Sequence, residues 1–245
     1  MKRLIIAGFP CPKDAWEKLF PSIEGIEQMI LPFYDVISQT DNAYYFFDLV
    51  DPVKKAIESY KPDLIVMHDF GVILGILAIL KIKKINNEFN PKVVIFNGAF
   101  RGFNVLKATH PIRIQFMSYD SFQKEVLEQG GEVDPRFKEK FSTVKHVYRQ
   151  VIVGSLLSLM SSIFKKKPTK KIDLGSEVLI LASKNDPYIP FCCLQNIEND
   201  FNNTSLKRID YGHFPYSGNI EEIKKQLLDF QLSSIHNSST PRSNN

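Results

Sequence analysis

The sequence predicts an α/β protein, a mostly parallel sheet flanked by helices and carrying one inserted helical cap. Three observations carry that expectation. Six short runs rich in Ile, Val and Leu recur with helical stretches between them, the stretch 101–171 shows no strand signal, and polar residues gather just past three of the runs. Strands that alternate with helices imply a sheet covered on both faces.

In chain order the runs are Arg3 to Ala7, Gln28 to Pro32, Leu64 to Met67, Lys92 to Phe96, Val178 to Ala182 and Ser205 to Ile209. Helices are expected at Lys13 to Phe20, Ala43 to Tyr60, Val72 to Ile85, Ile189 to Asn199 and Ile220 to Leu232. Pro52 and the pair Asp186-Pro187 act as helix starts. Residues 101–171 read as two or more helices, and this connection is too long for an ordinary crossover, so they are expected to form a cap over the sheet's edge. Caps of that kind commonly wall a substrate pocket. The chain then divides into a core of residues 1–100 and 172–235, the cap 101–171, and a disordered tail 236–245, with polar sequence and fraying expected from Ser233 onward.

Composition narrows the function classes. A chain of 245 residues that is 44% hydrophobic and 24% charged is long and apolar enough to bury one substantial core. The net charge is only +4, and the lysines are dispersed apart from Lys165, Lys166, Lys167, Lys170 and Lys171, so no nucleic-acid partner is expected. Cys11 stands alone and Cys192 and Cys193 are adjacent, which gives neither a disulfide framework nor zinc spacing. No metal or organic cofactor is implied. The apolar start ends at Gly8-Phe9-Pro10 without a cleavage site, and neither Leu64 to Leu80 nor Val151 to Phe164 suits a membrane span, so a soluble cytoplasmic protein is expected. The apolar run Val151 to Phe164 beside the lysines admits contact with an anionic membrane surface. Its commoner use is the inner face of a cap, just as Tyr44-Tyr45-Phe46-Phe47 reads first as core or pocket wall.

Chemistry is expected where strands end, because loops at the carboxyl ends of parallel strands face one crevice. Three junctions carry polar residues there: His68-Asp69-Phe70-Gly71, Ser183-Lys184-Asn185-Asp186-Pro187, and Asp210-Tyr211-Gly212-His213-Phe214-Pro215. Each has an ordinary explanation on its own. Asp69 before an apolar helix suits an N-cap, Asp186-Pro187 suits a turn, and a lone His213 suits a hydrogen-bonded core position. A nucleophile at a sharp strand-to-helix turn would sit at a helix amino terminus, whose free N–H groups favour a carboxylate. Asp tolerates the positive φ that such a turn demands, and Gly71 lets the backbone turn without a clash.

The order of nucleophile, acid and histidine, each just past a strand, resembles that of the α/β-hydrolase fold. His68-Asp69-Phe70-Gly71 resembles the nucleophile elbow of the epoxide hydrolase and haloalkane dehalogenase branch, in which Asp replaces Ser. Gly8-Phe9-Pro10 resembles that family's oxyanion loop, with Ala7 in place of a histidine, and Tyr211-Gly212-His213-Phe214-Pro215 resembles its terminal histidine loop. The likeness starts at what would be the family's third strand, so the usual N-terminal hairpin is expected to be missing. Met67 stands where the elbow has Gly.

The resemblance implies a catalytic triad of Asp69, His213 and Asp186 acting without a cofactor on a small-molecule, largely apolar substrate. Asp69 would form an ester with the substrate, and His213, oriented by Asp186, would draw a proton from the water that hydrolyses it. The backbone N–H groups of Phe9 and Phe70 are the oxyanion-hole candidates. Tyr119 and Tyr148, both in the expected cap, are candidates to protonate an epoxide oxygen. A dehalogenase would place Trp after the nucleophile, where this chain has Phe70, and its only tryptophan, Trp16, falls in the first helix. Epoxide opening therefore ranks above dehalogenation. The alternative is a catalytically silent binding or scaffold protein of the same fold, which would follow if His213 could not approach Asp69 within hydrogen-bonding range or if Met67 filled the elbow. A serine esterase lacks its Gly-x-Ser-x-Gly.

Overall fold

The computed structural model of the chain describes residues 1–40, 46–98, 110–164, 171–189, 191, 194 and 197–237. Among them a single sheet contains six strands: β1 (Lys2–Ile6), β2 (Glu27–Leu31), β3 (Leu64–His68), β4 (Lys92–Phe96), β5 (Val178–Ser183) and β6 (Thr204–Ile209). Every expected run forms a strand, shifted or extended by at most one residue. Their spatial order is β2-β1-β3-β4-β5-β6, and every neighbouring pair is parallel. The strands β3 and β5 are buried at every position, as continuous apolar runs under two helical layers must be, whereas the edge strand β6 is half exposed.

The labelled helices are α1 (Lys13–Leu19), α2 (Phe33–Ser38), α3 (Val50–Tyr60), α4 (Phe70–Lys83), α5 (His110–Arg113), α6 (Tyr119–Glu128), α7 (Phe137–Phe164) and α8 (Ile220–Asn237). The short helix α2 was not expected from sequence, because its six residues carry too little periodicity to register even though Phe33, Val36 and Ile37 form a buried face. Within the expected Ala43 to Tyr60, residues 43–45 lie outside the described set, Phe46–Leu49 form a 3-10 turn, and the α-helix begins at Val50 with Pro52 in its first turn. Of Ile189 to Asn199, Phe191, Leu194 and Ile197 are helical. One expectation is corrected: α8 runs through Asn237 rather than fraying from Ser233, since no Gly or Pro interrupts it before Pro241. Residues 238–245, Tyr44, Tyr45, Cys192, Cys193, and Lys165, Lys166, Lys167 and Lys170 lie outside the described residues.

Between β4 and β5 the described residues form α5, α6 and α7 and no strand. The first of these to have a side-chain cap is α6, where the Ser118 hydroxyl accepts from the Ser121 N–H. These helices close over the carboxyl end of the sheet. The ring of Phe9, just after β1, lies 4.9 Å from Phe122 of α6 and 4.8 Å from Phe137 of α7.

The join between β3 and α4 positions everything that follows. A Cβ on Gly71 would lie 2.4 Å from the Ile6 carbonyl oxygen, so only glycine lets α4 close against β1. The long Met67 side chain does not crowd the turn. Its Sδ lies where a Cβ on Gly75 would fall, 2.2 Å away, so a glycine in α4 houses it.

Candidate active site

All six strands point the same way, so the loops after β1, β3, β4, β5 and β6 collect at one edge. Asp69 occupies the step from β3 to α4 at φ 50° and ψ −121°, outside the extended conformation of an ordinary N-cap. Its side chain makes no capping hydrogen bond to α4. The backbone N–H groups of Phe70 and Phe9 lie beside its carboxylate and favour the anion. Close approach enforces this geometry: a Cβ on Gly8 would lie 2.5 Å from the Asp69 Cβ and 2.7 Å from the His68 carbonyl oxygen.

Asp69 keeps part of its surface accessible, while its carboxyl group lies deep in the protein. Burial there disfavours the anion and raises its pKa to about 6, against the opposing pull of His213 and the two N–H donors; the Asp186 charge adds to the rise.

His213 is 3% exposed, and its Nδ1 donates to Asp186 Oδ2 at 2.8 Å. The other Asp186 oxygen accepts from the N–H groups of Tyr188 at 2.7 Å and Ile189 at 2.9 Å. Asp186 thus makes the turn that its sequence suggested and also anchors the imidazole, leaving Nε2 for chemistry. Burial opposes a charged His213, but the charge and hydrogen bond of Asp186, joined by the charge of Asp69, raise its pKa overall.

Beneath these groups lies a second buried layer. His68 is fully buried, and its Nε2 lies 3.1 Å from the His213 carbonyl oxygen, to which it must donate. Its Nδ1 faces the Cys11 Sγ at 4.0 Å. Burial and the neighbouring His213 hold His68 well below the usual imidazole range, so it is a neutral brace. Asn97, at the tip of β4 with φ 36°, joins three loops: its Nδ2 donates to the carbonyls of Gly212 at 2.8 Å and His213 at 3.1 Å, and its Oδ1 accepts from Ser183 N–H and the Tyr211 hydroxyl, both at 2.9 Å.

The two candidate tyrosines part company. Tyr148 of α7 is 4% exposed, its ring lies 4.6 Å from Phe70 and 5.7 Å from Phe9, and burial together with the Asp69 charge pushes its phenol well above the usual range. Tyr119 is half-buried against Phe141 at 5.6 Å, with Asp134 and Asp120 as its charged neighbours. Phe46 meets Phe70 at 6.0 Å, whereas Phe47 is exposed.

No protein-family model and no curated protein sequence matches the chain. Solved structures do. An Acinetobacter baumannii protein assigned as a lipase superposes with a TM-score of 0.69 at 17% identity, over 96% of this chain and 85% of that one. An epoxide hydrolase from Bacillus megaterium, bound to its diol product, gives 0.66 at 16% identity over 94% and 93%. A type II thioesterase of the yersiniabactin pathway gives 0.63 at 10% identity over 93% and 91%. The chain has the α/β-hydrolase fold.

Within that fold, sequence reasoning placed Asp69, His213 and Asp186 at three separate strand ends, and the structure brings them into one cluster with the N–H groups of Phe9 and Phe70. It passed over Asn97, although Phe96-Asn97-Gly98 carries the same signal as the other junctions, a polar residue just past an apolar strand. Cys11 gave no signal at all. It is fully buried, which pushes its thiol up to about 12, and it accepts from the Tyr216 hydroxyl at 3.5 Å. Trp16 packs in α1 at 5.4 Å from His68. Among the described residues no group of three or more His, Cys, Asp or Glu side chains is placed to hold a metal, and no helix is long and apolar enough to cross a membrane.

Proposed function

We propose that the protein is a hydrolase that works through an ester on Asp69, with an epoxide of apolar, aromatic-compatible shape as substrate. The observation that carries this reading is the state of Asp69: at a positive-φ turn, with no side-chain bond that caps its helix, its carboxylate lies beside the backbone N–H groups of Phe9 and Phe70 and faces the charge of an acid-anchored His213. A residue kept in a strained conformation with no structural bond to account for it points to function. Met67 does not fill the elbow, which removes one ground for a silent protein: its side chain lies against Gly75.

In the first step an Asp69 oxygen bonds to an epoxide carbon, the ring C–O bond breaks, and the Tyr148 hydroxyl protonates the ring oxygen. The rings of Phe9, Phe70 and Tyr148 give this reaction an apolar wall. In the second step water adds to the Asp69 carboxyl carbon as His213 takes its proton, and charge builds on the oxygen that faces the N–H groups of Phe9 and Phe70. Collapse breaks the bond from the carboxyl carbon to the Asp69 oxygen now carried by the substrate, and that oxygen takes the proton from His213 as the diol leaves. The proton released as Asp69 regains its carboxylate restores Tyr148, and the sum is epoxide plus water to diol.

The test is intact-protein mass spectrometry after incubation with styrene oxide and related aryl epoxides, alongside diol assays. Asp69→Asn is expected to abolish turnover and adduct alike. His213→Ala is expected to accumulate the ester while turnover falls by about 10³-fold or more. Diol formation that survives Asp69→Asn would overturn the reading.

A further inference from the structure

Away from Asp69, Asp186 and His213 there is another buried carboxylate. Asp134 is 3% exposed and lies in the strap that joins α6 to α7, Gly130-Gly131-Glu132-Val133-Asp134-Pro135-Arg136. Arg136 grips it with a fork: Nε lies 3.0 Å from both carboxylate oxygens, Nη2 lies 2.5 Å from Oδ2, and the Arg136 backbone N–H donates to Oδ1 at 3.0 Å. The remaining nitrogen reaches the core. Nη1 pairs with Asp35 of α2 at 3.1 Å, and the guanidinium lies over the Tyr34 ring at 4.3 Å.

The strap touches both loops that flank Asp69. The Asp134 N–H donates to the Pro10 carbonyl at 3.2 Å, and Pro10 follows the Phe9 whose own N–H faces Asp69. On the other side, the Glu132 N–H donates to the Tyr216 hydroxyl at 3.2 Å, and the Glu132 carboxylate pairs with Lys18 of α1. Gly131 lies so close to the Phe214 ring that a Cβ there would come within 2.3 Å. The loop that presents the Phe9 N–H is therefore tied to the strap, and Arg136 ties the strap to the core.

We infer that Arg136, acting through Asp134 and the Pro10 carbonyl, is a positioning residue for ester hydrolysis, because it sets the Phe9 N–H against Asp69. This rests on the Asp69 ester proposed above. The two chemical steps depend on that N–H differently. While Asp69 attacks, the donor only occupies one of its lone pairs; when water adds to the ester, electrons move onto the oxygen the donor faces, and a misplaced donor raises that barrier. Arg136 belongs to the second step alone.

Rapid mixing of the full chain with styrene oxide, acid quenching and intact mass separates the two rates. In Arg136→Ala, ester hydrolysis is expected to slow about tenfold, less than the 10²–10³ of a deleted donor because the N–H is displaced and not removed. Ester formation should stay within about twofold, as for a substitution away from the reacting atoms. Arg136→Lys should recover part of the rate, since it keeps the charge beside Asp35 but loses the fork. Asp35→Asn cuts the same tie from the core side without stranding the buried Asp134, and should show the same split if Arg136→Ala fails to fold. Both steps slowing together, or hydrolysis unchanged in these folded variants, would overturn the inference while the Asp69 ester stood. Absence of any ester in the wild-type chain would instead remove the Asp69 reading and this inference with it.

Discussion

At the scale of single residues, Asp69 is held where its charge is unwelcome. Burial raises its pKa from 3.8 to about 6, so the folded state binds this proton more tightly than the unfolded one. For an acid shifted upward the sign is destabilising. The cost is absent below about pH 4, grows as pH rises to about 6 and is constant above that, reaching about 3 kcal/mol by linkage. Asp69→Asn is therefore expected to raise the melting temperature at pH 7.5 and to lose that advantage at pH 4, as read by thermal unfolding at the two pH values. Under the proposed Asp69 ester, the wild-type kcat/KM should fall as pH drops through about 6, because only the carboxylate form could attack. A melting temperature that Asp69→Asn leaves unchanged at pH 7.5 would contradict the burial argument. Asp69, Asp186 and His213 were legible because each is a polar residue that interrupts an apolar pattern just past a strand. Asn97 carried the same mark, yet its meaning lies in bonds to residues about 115 positions away, which no local pattern announces.

At the scale of elements, the elbow depends on how closely α4 approaches β1. The helix is apolar on nearly every side and ends with Lys81 and Lys83, cations suited to a helix carboxyl terminus. Gly71 sets its distance, because the Ile6 carbonyl stands where any side chain would begin. Gly71→Ala is expected to destabilise the fold by about 1–3 kcal/mol, as overpacking against rigid backbone does, in spite of alanine's better helix propensity. Urea denaturation would measure it, and a midpoint at or above the wild type would refute it. The strands were legible at this scale to within one residue because their apolar runs are short and bounded. The short α2 was not, since six residues hold less than two turns, and α8 outran its expected end because polar sequence without Gly or Pro does not stop a helix.

At the scale of the whole molecule, the sheet is a stack of central strands paired on both sides and edge strands paired on one. Amide hydrogen exchange should be slowest in β3 and β4 and fastest, among the strands, in β2 and β6, whose exposed positions open without unfolding the centre. Peptide-resolved exchange showing β6 protected as strongly as β3 would contradict this. The inserted helices complete the site from above by enclosing Phe9 and bringing Tyr148 beside Phe70.

The alternation of apolar runs and helices by itself determined the α/β architecture, the order of the strands' chemistry along the chain and the identity of the turn that holds Asp69. Those are local properties, written in the period of side chains and in which residues tolerate a positive φ. The tertiary structure alone decided that Met67 would lie against Gly75 and not in the turn, that Asn97 and His68 would brace the His213 loop, and that Arg136, ahead of α7, would reach Asp35 of α2. Each of these depends on groups far apart in sequence meeting at contact distance, and close packing in three dimensions selects such meetings where no repeat along the chain encodes them.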